Sequence, residues 1–289
     1  MKILNGKVVS ESLRAVIRQK GEEFQSLYNK APGLSVILVG DDPASQVYVR
    51  NKEMACQTVG FHSTVIKMPA STTMKDLKSK IQQLNEDTHV HGLLVQLPLP
   101  KGLDENEVLS WISPLKDVDA LTIENIGLFM AGRPRVVSCT PNGVMEILKF
   151  YKIPIAGRRA VVVGRSQIVG IPMARLLQDA NATVTVCHSK TPHLKEHTQE
   201  ADIVVVAAGN PKMLGREDFK EGSVVVDVGI HRIKKSNGQS VLCGDVRFDE
   251  LEGRVMAATP VPGGVGPMTI TMLLENTLKL AKLQEGIHS

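Results

Sequence analysis

Four short runs in the second half of the chain are dominated by valine: RAVVVG (159–164), TVTVCH (183–188), DIVVVAAG (202–209) and SVVVDVG (223–229). Runs this rich in β-branched residues, separated by helix-like stretches, suit parallel strands joined by helical crossovers. The first half repeats the pattern with LSVILVG (34–40), FHSTVIKM (61–68) and HGLLVQLPL (91–99). The expected fold class is therefore α/β, and 289 residues are enough for two domains, each with its own core. Between the two series, Pro114 to Cys139 has Pro, Gly and little periodicity, and reads as loop and linker. Thr140 as N-cap and Pro141 at the first helical position then open a helix to about Tyr151. A last helix, Met268 to about Leu283, is apolar at Ile270, Leu273, Leu274, Leu278 and Ala281. Its own sequence does not say which domain it packs on.

Charge narrows the partners. A formal net charge of +4 arises from 34 basic and 30 acidic residues spread along the chain, without a basic run or aromatic interleaving. That argues against a nucleic-acid surface. The longest apolar run, Ile203 to Ala208, is far short of the ~20 residues of a membrane span, so no membrane partner is expected. Cys56, Cys139, Cys187 and Cys243 lie far apart and form no C-x-x-C, which suggests neither a zinc site nor a disulfide framework. A reducing, cytoplasmic setting fits, and the N-terminus lacks the apolar core of a signal peptide.

Five stretches carry candidate chemistry. In AVVVGRSQIVGIPMARLL (160–177) a strand meets Gly164 and a helix follows, the setting of a dinucleotide fingerprint, but Ser166 and Val169 stand where its second and third glycines belong. The next strand ends in His188, Ser189 and Lys190, with no acid to bind a ribose 2′-hydroxyl. Serine with basic neighbours, and Arg165 in the turn, would attract a 2′-phosphate, so the turn points to NADP; the alternative is a plain strand-to-helix connector. In DDPASQVYVRNKEMACQTVG (41–60), Asp42 and Pro43 start a helix whose inward stripe reads Ala44, Val47, Asn51, Ala55 and Val59. Tyr48 falls within that stripe and Lys52 at its edge, where a disfavoured charge would suit proton transfer; a snorkelling lysine is the alternative. Gln96 is a polar break near the end of an apolar strand, where parallel sheets place ligands, or else it faces solvent. Asp117 and Asp119 lie in a loop and suit a metal weakly and a surface turn well. TPVPGGVGPMT (259–269) permits close backbone approach to a flat ligand, or serves as a rigid connector. His89 and His91 would share one strand face; without a carboxylate or cysteine partner they read as surface histidines, and no metal is expected.

In order along the chain stand YVRNK (48–52), VQLPLP (95–100), KDVD (116–119), TPNG (140–143), GRSQIVGIP (164–172), CHSKT (187–191), DVGI (227–230) and PVPGGVGPMT (260–269). With these motifs the chain resembles the bifunctional methylenetetrahydrofolate dehydrogenase/cyclohydrolase (FolD) family over nearly its whole length. The resemblance implies oxidation of 5,10-methylene-tetrahydrofolate to the 5,10-methenyl cation with NADP, then hydrolysis to 10-formyl-tetrahydrofolate. It implies an N-terminal α/β folate-binding catalytic domain (1–139 with 268–289) and a Rossmann-like parallel-sheet NADP-binding domain (140–267), the last helix returning to the first domain. It places Tyr48, Lys52 and Gln96 around the reacting carbon and the pterin on Asp119, with folate also on Pro262, Gly263, Gly264 and Gly266. The cofactor contacts it implies are Gly164, Arg165, Ser166, Ser189 and Ile230, and the assembly is a homodimer acting on tetrahydrofolate derivatives. Two departures stand out: Ala120 where a glycine is usual after KDVD, and Asn142 where an alanine is common.

Other readings compete. Tyr48-x-x-x-Lys52 also matches the pair of short-chain dehydrogenases, but there the pair follows the nucleotide turn within one domain, and here it precedes the turn by a long way. A folate-binding or dimer-scaffold relative without turnover is opposed by intact Tyr48, Lys52 and Gln96, whereas a relative keeping only one of the two activities stays open.

Overall fold

The computed structural model describes residues 1–234 and 239–287. The first half of the chain forms β1 (Lys2–Ile3), α1 (Gly6–Tyr28), β2 (Gly33–Val39), α2 (Pro43–Thr58), β3 (His62–Met68), α3 (Met74–Glu86), β4 (Gly92–Val95), α4 (Glu105–Ser110), α5 (Ile123–Met130) and α6 (Cys139–Phe150). The second half forms β5 (Arg159–Val163), α7 (Gly170–Asp179), β6 (Thr183–Cys187), α8 (Leu194–Glu200), β7 (Ile203–Val206), β8 (Val224–Asp227), β9 (His231–Lys234), β10 (Ser240–Cys243), β11 (Ala257–Ala258) and α9 (Val265–Gln284). These elements sort into two compact units, Ser12–Cys139 with Ile270–Ser289, and Met1–Glu11 with Thr140–Thr269.

The first of these units is built on a parallel sheet in the order β3-β2-β4. Every residue of β2 is buried, as a central strand covered on both faces requires. On one face Ile37, Leu93 and Val95 meet Leu77, Ile81 and Leu84, which α3 presents at i, i+4, i+7 spacing. The C-terminal helix belongs to this unit from Ile270 onward. Arg14 Nε donates to Thr271 Oγ1 (3.0 Å), tying α1 to α9, and Leu273, Leu274, Leu278 and Ala281 are buried.

The second unit holds a six-stranded sheet in the order β1-β11-β8-β7-β5-β6, parallel at every pairing. Val161, Val163, Val204, Val206 and Val225 pack with Phe219 and Leu251 in its core. After β5 the chain goes to one side, to β6, then crosses back to β7 on the other. The carboxyl ends of β5 and β7 therefore flank a topological switch point, where doubly wound sheets place their ligands. An antiparallel pair of strands, β9 with β10, forms a separate two-stranded sheet that the sequence reading did not include.

Several expectations need correction. Residues 1–11 sort with the six-stranded unit, because Lys2–Ile3 pairs with Ala257–Ala258. The segment 114–139 is not all linker: Thr122 Oγ1 accepts from Asn125 N and caps α5. Helix α6 starts at Cys139, so Thr140 is inside it, and its hydroxyl pairs with that of Thr269 (2.9 Å) instead of capping. His91 is wholly buried: its Nδ1 accepts from Gly33 N (2.9 Å), its ring stands edge-on to Phe24, and burial pushes its pKa down to about 4.

Candidate active site

Helix α2 begins as its sequence dictates, with Asp42 Oδ2 accepting from Ser45 N (2.7 Å) and proline in the first turn. Its buried stripe is rotated from the expected one. Ala55 and Val59 are covered as expected, but Ser45, Val49 and Cys56 are covered with them, whereas Ala44 and Asn51 are exposed and Val47 is 56% exposed. What the helix packs on, β2 and β3, outweighs which of its residues are apolar. The rotation carries Lys52 onto the covered face, i+3 from Val49, and leaves Tyr48 43% exposed one turn earlier.

Lys52 Nζ donates to Gln96 Oε1 (2.9 Å), and Gln96 Nε2 donates to Leu97 O (2.6 Å), which sets the orientation of the amide. Gln96 follows the last residue of β4, and its own N–H bonds Ile37 O (2.9 Å), so the ladder fixes where the side chain starts. Burial holds the Lys52 ammonium below the ordinary lysine range, and the negative charge of Asp119 opposes that shift. Asp119 is pushed up by burial, against the pull of Lys52. The two groups thus share a half-buried environment in which each is easier to neutralise than in water.

The acidic pair divides its work. Asp117 is buried, not on a surface turn: its carboxylate accepts from Leu121 N (3.1 Å), Thr122 N (2.8 Å) and Asn125 Nδ2 (3.0 Å). It closes the loop that presents Asp119. Cys139 Sγ donates to Asp119 Oδ1 (3.5 Å) and Val118 O (3.4 Å), and burial raises its thiol well above the ordinary range, so it stays a donor. Asn276 of α9 donates through Nδ2 to Val118 O and Val137 O (both 2.8 Å). Cys139 and Asn276 escaped the sequence reading, where one was merely a cysteine and the other a polar residue in an apolar helix.

In the six-stranded unit, Gly164 has φ +126, and a methyl there would strike the Ala207 carbonyl. A methyl on Gly170 would strike the Gly164 carbonyl and come within 2.7 Å of Arg165 Cα. The close-packing glycine is thus Gly170, one residue beyond the Val169 position that the fingerprint suggests. Ser166 Oγ accepts from Val169 N (3.2 Å) and Gly170 N (3.4 Å) at the start of α7. Val163 and Cys187 are paired in register, so the turns carrying Arg165 and Ser189 leave adjacent strand ends. His188 and Thr191 close the second turn, with Thr191 N on His188 O (2.8 Å) and His188 N on Thr191 Oγ1 (2.9 Å), and Ser189 is exposed at its tip. Ile230 is 43% exposed, and a methyl on Gly266 would come within 3.3 Å of its Cδ1. Pro262 is exposed and Gly263 takes φ +100, whereas Gly264 is buried, its carbonyl where a Gly6 side chain would be.

Comparison with known proteins agrees with both halves. Residues 4–119 match the model of the tetrahydrofolate dehydrogenase/cyclohydrolase catalytic domain, and residues 138–285 that of its NAD(P)-binding domain. The bifunctional protein FolD of Bdellovibrio bacteriovorus is 56% identical over 281 residues, 97% of this chain and 96% of that one. That of Polynucleobacter asymbioticus is 51% identical over 97% of each. The crystal structure of the Campylobacter jejuni bifunctional enzyme superposes with a TM-score of 0.93 at 45% identity, covering 98% of this chain and 99% of that one. The Trypanosoma brucei enzyme, solved with NADP cofactor and inhibitor, gives 0.93 at 39% identity over 99% and 98%. With both halves matched and about half of all residues shared across the full length, the chain belongs to the tetrahydrofolate dehydrogenase/cyclohydrolase family.

Proposed function

We propose that the chain oxidises 5,10-methylene-tetrahydrofolate to the 5,10-methenyl cation with NADP and hydrolyses that cation to 10-formyl-tetrahydrofolate. The observation that carries this reading is Lys52 held by Gln96 beside Asp119, a lysine whose neutral form is favoured by burial. In hydrolysis, neutral Lys52 takes a proton from water as its oxygen bonds the cationic carbon. The ammonium then gives a proton to the folate nitrogen as the carbon–nitrogen bond breaks, the added hydroxyl loses its proton, and one proton is released overall. Gln96 keeps the amine aimed through both transfers, Tyr48 flanks the reacting carbon, and Asp119 accepts hydrogen bonds from the pterin amino group and ring nitrogen.

NADP, when bound, supplies the hydride acceptor. The residues present fit it: Gly164 and Gly170 remove side chains where backbone must come close, and no carboxylate stands at the end of β6 to repel a 2′-phosphate. Arg165 and Ser189 are proposed for that phosphate, Ser166 at the N-terminus of α7 for the pyrophosphate, and Ile230 for apolar contact. On the family resemblance alone, Pro262, Gly263 and Gly266 are proposed as folate contacts, Gly264 as the packed base of their turn, and a homodimer as the working assembly. The three-stranded unit is proposed to be catalytic and the six-stranded unit to bind cofactor. Among the described residues no helix is long and apolar enough to cross a membrane.

An absorbance assay supplied with methylene-tetrahydrofolate and either NADP or NAD tests the reading. Reduction of NADP faster than NAD, with methenyl-tetrahydrofolate passing on to the formyl product, is expected. Absence of both signals would contradict it.

A further inference from the structure

Two buried carboxylates that the proposed chemistry does not use meet at the carboxyl ends of β7 and β8: Asp227, which ends β8, and Asp245, which follows β10. Asp245 accepts at Oδ2 from Ala208 N (2.7 Å) and Gly209 N (3.0 Å), the turn that leaves β7, and at Oδ1 from His231 Nε2 (2.7 Å). Asp227, the last residue of β8, accepts at Oδ1 from Gly229 N (2.9 Å) and Asp245 N (3.0 Å), and at Oδ2 from Val246 N (2.9 Å). Thr259 Oγ1, just past β11, takes the Asp227 N–H (2.8 Å). Glycine stands at two of the close approaches: a methyl on Gly229 would lie 2.6 Å from the Asp245 carboxyl carbon, and one on Gly244 would fall on the Asp227 carboxylate.

Two carboxylates this close are expensive to bury. Burial pushes Asp227 up to about 6, with repulsion from Asp245 adding to it, and the backbone N–H groups oppose the shift. A loop that needed only to connect strands would not carry that cost. What the arrangement accomplishes is a fixed distance between the turn after β7 and the turn after β8. Those turns sit at the carboxyl ends of two neighbouring strands, one of them flanking the switch point, and Ile230 lies between Gly229 and His231. Of the two carboxylates and the histidine, only His231 reaches solvent appreciably, its side chain 21% exposed while that of Asp245 is fully covered.

We propose that Asp245 and His231, backed by Asp227, form a buckle that holds the turns after β7 and β8 at one spacing and thereby sets the affinity for the nucleotide cofactor. The proposal rests on the assignment of this sheet end to NADP. His231 is a positioning residue that acts through Asp245, and takes no part in the folate chemistry. Its removal leaves a buried carboxylate short of its side-chain donor, and the turn that Asp245 holds loosens.

The test uses His231→Ala and His231→Gln in the full chain, the Gln Nε2 replacing the imidazole donor to Asp245. Three readings are taken: the NADP dissociation constant by calorimetry, the Michaelis constant for NADP in the dehydrogenase direction, and hydrolysis of methenyl-tetrahydrofolate without nucleotide. His231→Ala is expected to raise both NADP constants about tenfold, the order of one charge-assisted bond, while nucleotide-free hydrolysis stays within about twofold of wild type. His231→Gln is expected to recover most of the NADP affinity. Unchanged NADP affinity in His231→Ala overturns the buckle, and so does a parallel fall in hydrolysis, which would mean general damage to the fold. Wild-type turnover judges the functional reading separately. A chain that binds NADP without turning over fails that reading while the affinity ratio still judges the buckle, and one that binds no NADP overturns both.

Discussion

Ala120 holds φ +59 in the turn that follows Asp119. The left-handed region costs an L residue roughly 1–2 kcal/mol, and this is the position where the family resemblance expects glycine. Glycine would relieve that strain but adds about 0.4–1 kcal/mol of unfolded-chain entropy, so the strain outweighs the entropy. Ala120→Gly is expected to raise the unfolding free energy by about 0.5–1 kcal/mol in urea titration; a less stable variant would mean that packing of the buried methyl dominates. Beside it, Asp119 supplies the charge that pulls the Lys52 pKa back toward its ordinary value. Asp119→Asn removes that pull, so the Lys52 pKa falls further. Hydrolysis that needs neutral Lys52 rises with pH through that pKa, and its rising limb should move to lower pH. Folate affinity should fall in the same variant by about 1.5–3 kcal/mol, the size of a charge-assisted bond. An unmoved limb with unchanged folate affinity would remove Asp119 from the site.

Among the elements, the nucleotide turn was the most legible, because strand, glycine and helix follow one another in a fixed order. What sequence could not supply was its length: Gly170 does the packing that the fingerprint assigns to the preceding position, and only the Gly164 carbonyl against it reveals this. Arg165 and Ser189 leave adjacent strands, so Arg165→Ala is expected to raise the Michaelis constant for NADP by roughly ten- to hundredfold and that for NAD far less. Equal losses would assign Arg165 to the shared pyrophosphate or to the fold. Helix α2 was legible in its cap and its existence but not in its rotation, because Ala44 and Val47 are as apolar as residues that are covered, and only packing on β2 and β3 decides between faces. Helix α5 was missed since IENIGLFM is short, apolar nearly throughout and broken by Gly127, leaving no period to detect.

On the scale of the whole molecule, the two series of strand-like runs foretold two parallel sheets, and long-range pairing fixed what they left open. The two-residue β1 carries no pattern of its own, and its place beside β11 comes from a partner some 250 residues away. The returning helix α9 is apolar around much of its surface, so its own periodicity names no partner, whereas the Arg14 to Thr271 bond does. Lys52, Gln96 and Asp119 come from α2, the end of β4 and the loop before α5, and only the folded sheet unit brings them together. The central claim is that this lysine performs the proton transfers of the hydrolytic step. Its most direct test is the rate at which Lys52→Met hydrolyses methenyl-tetrahydrofolate at saturating substrate. The account predicts a fall of about 10²- to 10⁴-fold with folate binding retained, and hydrolysis near the wild-type rate would contradict it.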